Sequence, residues 1–249
     1  MIDWLFSPID LSRDHDVEFL VSWHGRSMVA AWGVLAPLAI VITRFFKVMP
    51  GQNWPSELDN QFWWRSHWMG QSVVLLLTLI GLGLIYGASE GFNWHSATGY
   101  TILCLVAVQA LLGVCRGSKG GPTAPAADGS LRGDHYDMTR WRLIFERLHK
   151  SLGYALLVLG VVTILSGLWS VNAPRWMLIC LLLWWTTLAM VFIALQRKGW
   201  KIDTYQAIWG PDAIHPGNQP SLDRKRDRQL TQIDQREVSH IKSAPNSAE

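Results

Sequence analysis

The stretch VVLLLTLIGLGLIYGA carries no charged residue, and it belongs to one of five strongly apolar runs in the chain. They lie roughly at 18–46, 66–88, 95–115, 150–169 and 176–196. Each is long enough, at about 1.5 Å per helical residue, to cross a hydrocarbon core about 30 Å thick. One buried helix of a large soluble core can be this apolar. Five in succession leave no polar remainder to cover them. The pattern predicts an all-α integral membrane protein with five transmembrane helices, in contact with membrane lipid.

Composition agrees. Apolar residues make up 49% of the 249 residues and charged ones 16%, with 15 tryptophans, a residue enriched where rings sit at lipid headgroup level. The net charge of +3 forms no basic stripe and points to no nucleic-acid partner. Cys104, Cys115 and Cys180 are scattered, so neither a disulfide scaffold nor a zinc site is expected, and no CxxCH motif offers covalent haem attachment. The first residues lack the basic start and small-residue cleavage site of a signal peptide.

Charge in the connections sets a direction. Arg44, Lys47, Arg65, Arg116, Lys119, Arg132, Arg140, Arg142, Arg147, Lys150, Arg197, Lys198 and Lys201 fall at one set of helix ends, and only Arg13, Arg26 and Arg175 at the other. The positive-inside rule places the richer side in the cytoplasm, with the N-terminus outside. Residues 1–17 then form an extracytoplasmic segment, 18–199 the membrane core with a cytoplasmic loop at 116–148, and 200–249 a polar cytoplasmic tail. The tail is expected to be partly disordered after a short surface-hugging segment around Tyr205 to Trp209. MTRWRLIFERLHK has a basic and an apolar face and is expected to lie along the membrane surface before the fourth span. Ahead of it, GDHYDMT, with Asp134, His135 and Asp137, reads as a solvated turn with aspartate caps, beside the alternative of a small metal or partner site.

His24, His67, His95 and His149 each stand near the N-terminal end of one of the first four spans. Consecutive spans run in opposite directions, so His24 and His95 should lie at one membrane face and His67 and His149 at the other. The span from His24 to Phe46 is about 33 Å long, too long for the two pairs to share a centre. Paired neutral imidazoles on facing helices are what axial ligation of a b-type haem requires. Gly70, Gly99 and Gly153 follow three of the histidines at helical spacing, where they would let a flat macrocycle approach the backbone. Arg26, Arg65, Arg147 and Lys150 lie near enough in sequence to neutralise haem propionates. The expectation is two non-covalent, bis-histidine haems b in a bundle formed by four of the five helices. No nucleotide or flavin motif is present, so electrons would come from a diffusible reductant or a protein partner.

HGRSMVAAWGVLAPLAIVITRFF, WWRSHWMGQ, NWHSATGYTILCLVAVQALLGVCRG and FERLHKSLGYALLVLGVVTILSGL together resemble the transmembrane core of the cytochrome b561 and ferric reductase superfamily, over roughly residues 20–200. The bacterial dihaem members look most similar. The resemblance implies that His24 pairs with His95 and His67 with His149. It also implies transmembrane electron transfer from ascorbate or a quinol to ferric iron, a quinone or a redox partner, in a bacterial inner membrane. Five spans rather than six, and a longer connection before His149, set the chain apart from the animal and plant members. The competing expectations are a haem-bearing subunit of a larger respiratory or photosynthetic complex and a haem-free structural or transport protein.

Overall fold

The computed structural model describes residues 2–87 and 93–219, and among these residues there is no strand beyond an isolated bridge between Pro8 and Pro174. A short helix α1 (Ile2–Phe6) precedes the first span. That span is built from α2 (Phe19–Met28), a π-helical turn (Val29–Leu35) and α3 (Ala36–Phe45). The other spans are α4 (Phe62–Leu84), α5 (Trp94–Val114), α6 (Arg140–Ser170) and α7 (Arg175–Arg197). These five are long and apolar enough to cross a membrane. A small helix α8 (Thr204–Trp209) follows.

Local chemistry sets several helix ends. Asn93 and Ser96 form a reciprocal capping box at the start of α5, and the Thr139 hydroxyl accepts from the Arg142 amide at the start of α6. Asn172 turns the chain between α6 and α7 with φ of 48°, a left-handed conformation that asparagine tolerates. Its amide donates to the carbonyls of Asp10 and Arg13 at 2.9 and 2.7 Å, which clasps the N-terminal segment to this turn.

The first span lies at the centre of the packing, against α4 on one side and α6 and α7 on others, while α5 packs chiefly on α6. Small residues allow the close approach. Ala31, Ala36 and Ala39 are buried, and a Cβ added at Gly70 would lie 3.2 Å from that of Ala39. Inside the π-helical turn, the Gly33 carbonyl accepts from the indoles of both Trp184 and Trp185 at 3.0 Å. Side-chain donors inserted into the backbone ladder are a known cause of such departures from α-helix. The adjacent Trp32 is buried at mid-span, its indole donating at 3.1 Å to the Thr78 hydroxyl, which itself donates to the Val74 carbonyl. Thr78→Val keeps the shape but leaves a buried indole N–H unpaired. It should lower stability by about 1–2 kcal/mol, read as a lower thermal midpoint in detergent.

Two expectations are revised. The segment MTRWRLIFERLHK does not break before the fourth span, because from Arg140 onward it is the start of the uninterrupted 31-residue α6, capped by Thr139. Tyr205 and Trp209 do not lie open on a surface: both are buried, with Ile208, against Leu131, Tyr136, Met138 and Trp63. Glycine makes this possible, since a Cβ at Gly121 or Gly217 would collide with the Trp209 or Tyr205 ring. Lys47, also buried, donates to the Ile202 carbonyl at 3.1 Å and anchors the chain entering α8. The loop before α6, the connection before α4 and α8 thus form a cap over the end of the bundle where most Lys and Arg lie. The end of the second span at residue 88 and the disorder expected in the tail beyond residue 219 lie outside the described residues.

Candidate functional site

His24 and His95 stand at the end of the bundle nearest the N-terminus, with ring centroids 6.1 Å apart. His67 and His149 stand at the basic end, 6.0 Å apart. An imidazole nitrogen binds a metal ion at about 2 Å. With half of each ring added, two imidazoles on opposite sides of one ion have centres about 6 Å apart, so both spacings fit a shared metal. From His24 to Thr43, which touches His67, the helical rise amounts to roughly 28 Å. The two pairs are separate sites.

Hydrogen bonds assign the nitrogens. His24 Nδ1 lies 2.8 Å from the Gly81 carbonyl oxygen and His95 Nδ1 lies 3.0 Å from that of Thr163. A carbonyl only accepts, so Nδ1 carries the proton in both rings and Nε2 keeps its lone pair. At the basic end the Thr43 hydroxyl donates to the Ala39 carbonyl at 2.6 Å and so accepts from His67 Nδ1 at 3.3 Å. His67 Nε2 is thereby free as well. The His149 ring stacks on Phe145 one turn earlier, and its buried Nδ1 has no partner. Oriented rings with a free Nε2 are the arrangement that metal-ligating histidines show.

The basic-end pair lines a cavity of about 1120 Å³, bounded in its apolar part by Trp32, Val74, Val106 and Leu156. Gly153 is on its wall, and a Cβ there would lie 3.3 Å from Gln109 Nε2. A Cβ at Gly99 would meet nothing within 4 Å, whereas Gly70 is used for packing on α3. The expected cations are divided. Arg65 and Lys150 line the cavity, Arg147 is exposed outside it, and Arg26 lies over the Trp23 ring at 5.0 Å. Arg44, Lys47, Arg116 and Arg142 line it too, although the sequence reading had not singled them out.

Two glycines were also missed. A Cβ at Gly167 would lie 2.8 Å from His95 Cε1, and one at Gly81 would lie 3.5 Å from His24 Nδ1. Gly167 makes room for a histidine of another helix, whereas at Gly81 the contact with His24 is ordinary and Met28 is the closer neighbour. No signal in the sequence marks either role.

In GDHYDMT, Asp134 caps the turn by accepting from Ser118 and Thr139, and Asp137 lies 3.6 Å from exposed Arg132. His135 is not solvated; it is 3% exposed and packs edge-on against Trp209. Among the described residues no cluster of three or more His, Cys, Asp or Glu could hold a metal ion. Burial above all, then the Arg142 guanidinium, holds the His135 imidazole down to about 3, with Glu146 opposing. An unfolded histidine titrates near 6.5. The neutral form favoured by the fold therefore contributes fully above that value, and its contribution is lost as pH falls from about 6.5 toward 3, where the opened chain binds the proton first. Acidification from pH 7.5 to 5 should lower the thermal midpoint more in the native chain than in His135→Phe.

Comparison with known proteins finds distant relatives. The chain is 27% identical, over 62% of its length, to a cytochrome b561, DM13 and DOMON domain-containing protein of Arabidopsis thaliana. It is 25% and 26% identical, over 65% of its length, to ferric-chelate reductase 1 of Bos taurus and of Homo sapiens. The chain spans 15% of the plant protein and 24% of each reductase. These similarities support the cytochrome b561 and ferric reductase superfamily at low identity. No family model and no solved structure matches the chain.

Proposed function

We propose that this chain conducts electrons across a membrane through two non-covalent haems b, one held by His24 and His95 and the other by His67 and His149. One observation carries the reading: two histidine pairs at metal-bridging distance stand at opposite ends of one bundle, with Nε2 free in His24, His95 and His67. The names of the similar proteins support it, being cytochrome b561 and ferric-chelate reductase. A bound haem supplies one-electron exchange at its iron. The chain's own residues do the rest. The Gly81 and Thr163 carbonyls hold two rings in the ligating tautomer, Thr43 holds a third, and Phe145 fixes the plane of the fourth. Arg65 and Arg116 line the cavity and would supply positive charge for propionates, while Lys150 is paired with Glu146.

The charge bias supports a cytoplasmic basic end, and the resemblance to bacterial members supports an inner membrane as its location. The donor is then a small reductant or quinol and the acceptor ferric iron, a quinone or a redox protein. The cap favours a second reading, in which it docks this chain as a haem-bearing subunit onto a larger membrane complex. Pyridine haemochrome analysis of the purified protein should give two haems b per chain with low-spin spectra. One haem, none, or a high-spin signal overturns the dihaem reading. A stoichiometric partner recovered after mild solubilisation would favour the subunit reading.

A further inference from the structure

The cavity of about 1120 Å³ at the basic end extends from the His67 and His149 pair to residues of the cap. Its wall is apolar at Trp32, Val74, Val106 and Leu156, and polar where the cap contributes Asp59, Lys119, Thr123 and His135 beside Glu146. In that polar end the charges are already matched. Lys119 holds Asp59 at 2.6 Å, and Glu146 is held by Lys150 at 2.6 Å and by Arg142 at 3.2 Å. Among the neutral rings lining the cavity, His135 Nε2 and Trp63 Nε1 are buried without a hydrogen bond, as is Trp209 Nε1 in the cap. His135 Nε2 lies 3.5 Å from Glu146 Oε1 but makes no hydrogen bond to it. The His135 and Trp63 rings rest on the Tyr205, Ile208 and Trp209 cluster of the cap. Buried polar atoms are rarely left unpaired in native proteins, so the two on the cavity wall point to a missing partner.

We propose that the capped end of this cavity is a second binding site, for the headgroup of a quinol or quinone, recognised by His135 and Trp63. The chemistry selects that class. An imidazole nitrogen accepts from a ring hydroxyl or donates to a carbonyl, and an indole N–H donates to a carbonyl or hydroxyl oxygen. The side chains of Trp63 and Ile208 offer apolar surface for a ring. A small anion would need an unengaged cation beside His135, and Lys119, Arg142 and Lys150 are each held by a carboxylate. The imidazole adds none, because burial keeps it neutral. The site's role as an electron entry or exit point rests on the dihaem reading, whereas its occupancy does not. His135 is carried by the long connection before α6 and Trp63 by the start of α4, so the site joins two parts of the chain.

The test is direct binding of the quinol analogue 2-heptyl-4-hydroxyquinoline N-oxide to the purified protein, followed by quenching of the analogue's fluorescence. One saturable site per chain is expected, weakened about tenfold by His135→Phe, which keeps the ring against Trp209 but removes its nitrogen. Trp63→Phe should weaken it similarly, and it carries the test if the histidine variant does not fold. Ascorbate at the same concentration should not displace the analogue. Absence of saturable binding, equal affinity in the wild type and the folded variants, or displacement by ascorbate overturns the proposal. Haem content of the same sample separates the two claims. Two haems without binding sink this site alone, while binding by a haem-free protein sinks the electron-transfer reading and leaves the site.

Discussion

If the chain holds the two proposed haems, His67→Ala and His149→Ala should each abolish the same low-spin haem signal and spare the other, while His24→Ala and His95→Ala should do the reverse. That is the outcome expected of paired sites set at opposite ends of the bundle. The rings of each pair are about 6 Å apart, with centroid distances of 6.1 and 6.0 Å. The pairs are separated by most of a span, and no side chain reaches across a hydrocarbon core of about 30 Å. Removing one imidazole opens one axial position, so the affected haem turns high-spin or is lost. Low-temperature electron paramagnetic resonance reads the two low-spin signals separately. If His67→Ala and His95→Ala removed the same signal while His149→Ala spared it, the two-ended arrangement would be wrong. Some loss of yield is expected in all four, because an emptied porphyrin slot leaves a void in the packing.

Gly167→Ala should cost nearly as much at one site as losing a ligand, although Gly167 is itself no ligand. A Cβ there would stand 2.8 Å from Cε1 of the His95 ring, closer than real contacts allow, and a tight 3.1 Å from its Nδ1. The ring must move, and the hydrogen bond from its Nδ1 to the Thr163 carbonyl must lengthen with it. Loss of the hydrogen bond that orients a metal-ligating histidine commonly changes metal affinity by about 10–100-fold. The expected result is partial or complete loss of the His24–His95 haem with the His67–His149 haem intact. Gly81→Ala is the control. Its closest obstacle is the terminal methyl of Met28 at 2.5 Å, the far end of a flexible side chain, while His24 Nδ1 stands 3.5 Å away. Met28 can swing aside, so the spectrum should change little. Equal damage from both substitutions would mean that the His95 ring is not held as described.

The spans and the grouping of the four histidines could be read from the chain because they depend on local quantities. Hydropathy and length mark a span, and alternating direction sorts residues that open successive helices to opposite ends. The partners of those histidines could not be read in that way. Gly81 and Thr163 reach His24 and His95 through backbone carbonyls, which have no residue-type signature. Gly167 was invisible for a related reason: its role is to be absent from the space that His95 fills. Tyr205 and Trp209 were misread because amphipathic composition shows that a ring wants cover but not what provides it. The cover is Gly121 and Gly217 together with Leu131, Tyr136 and Met138, mostly contributed from some seventy residues upstream. His135 followed the same logic. Its neighbours in sequence are turn formers, and its burial comes from α8.

The π-helical turn at Val29–Leu35 ties the two ends of the first span to each other by count as well as by distance. In an α-helix each residue advances the azimuth by about 100°, so one residue accommodated in a widened turn re-aims everything beyond it by about that angle. On one side of the turn His24 faces His95 across the bundle; on the other, Thr43 faces His67. An unbroken α-helix of the same residues would aim only one of these correctly. The number of residues between His24 and Thr43 is therefore as constrained as their identity, and a conservative change in length there would act like a key cut one notch out of register.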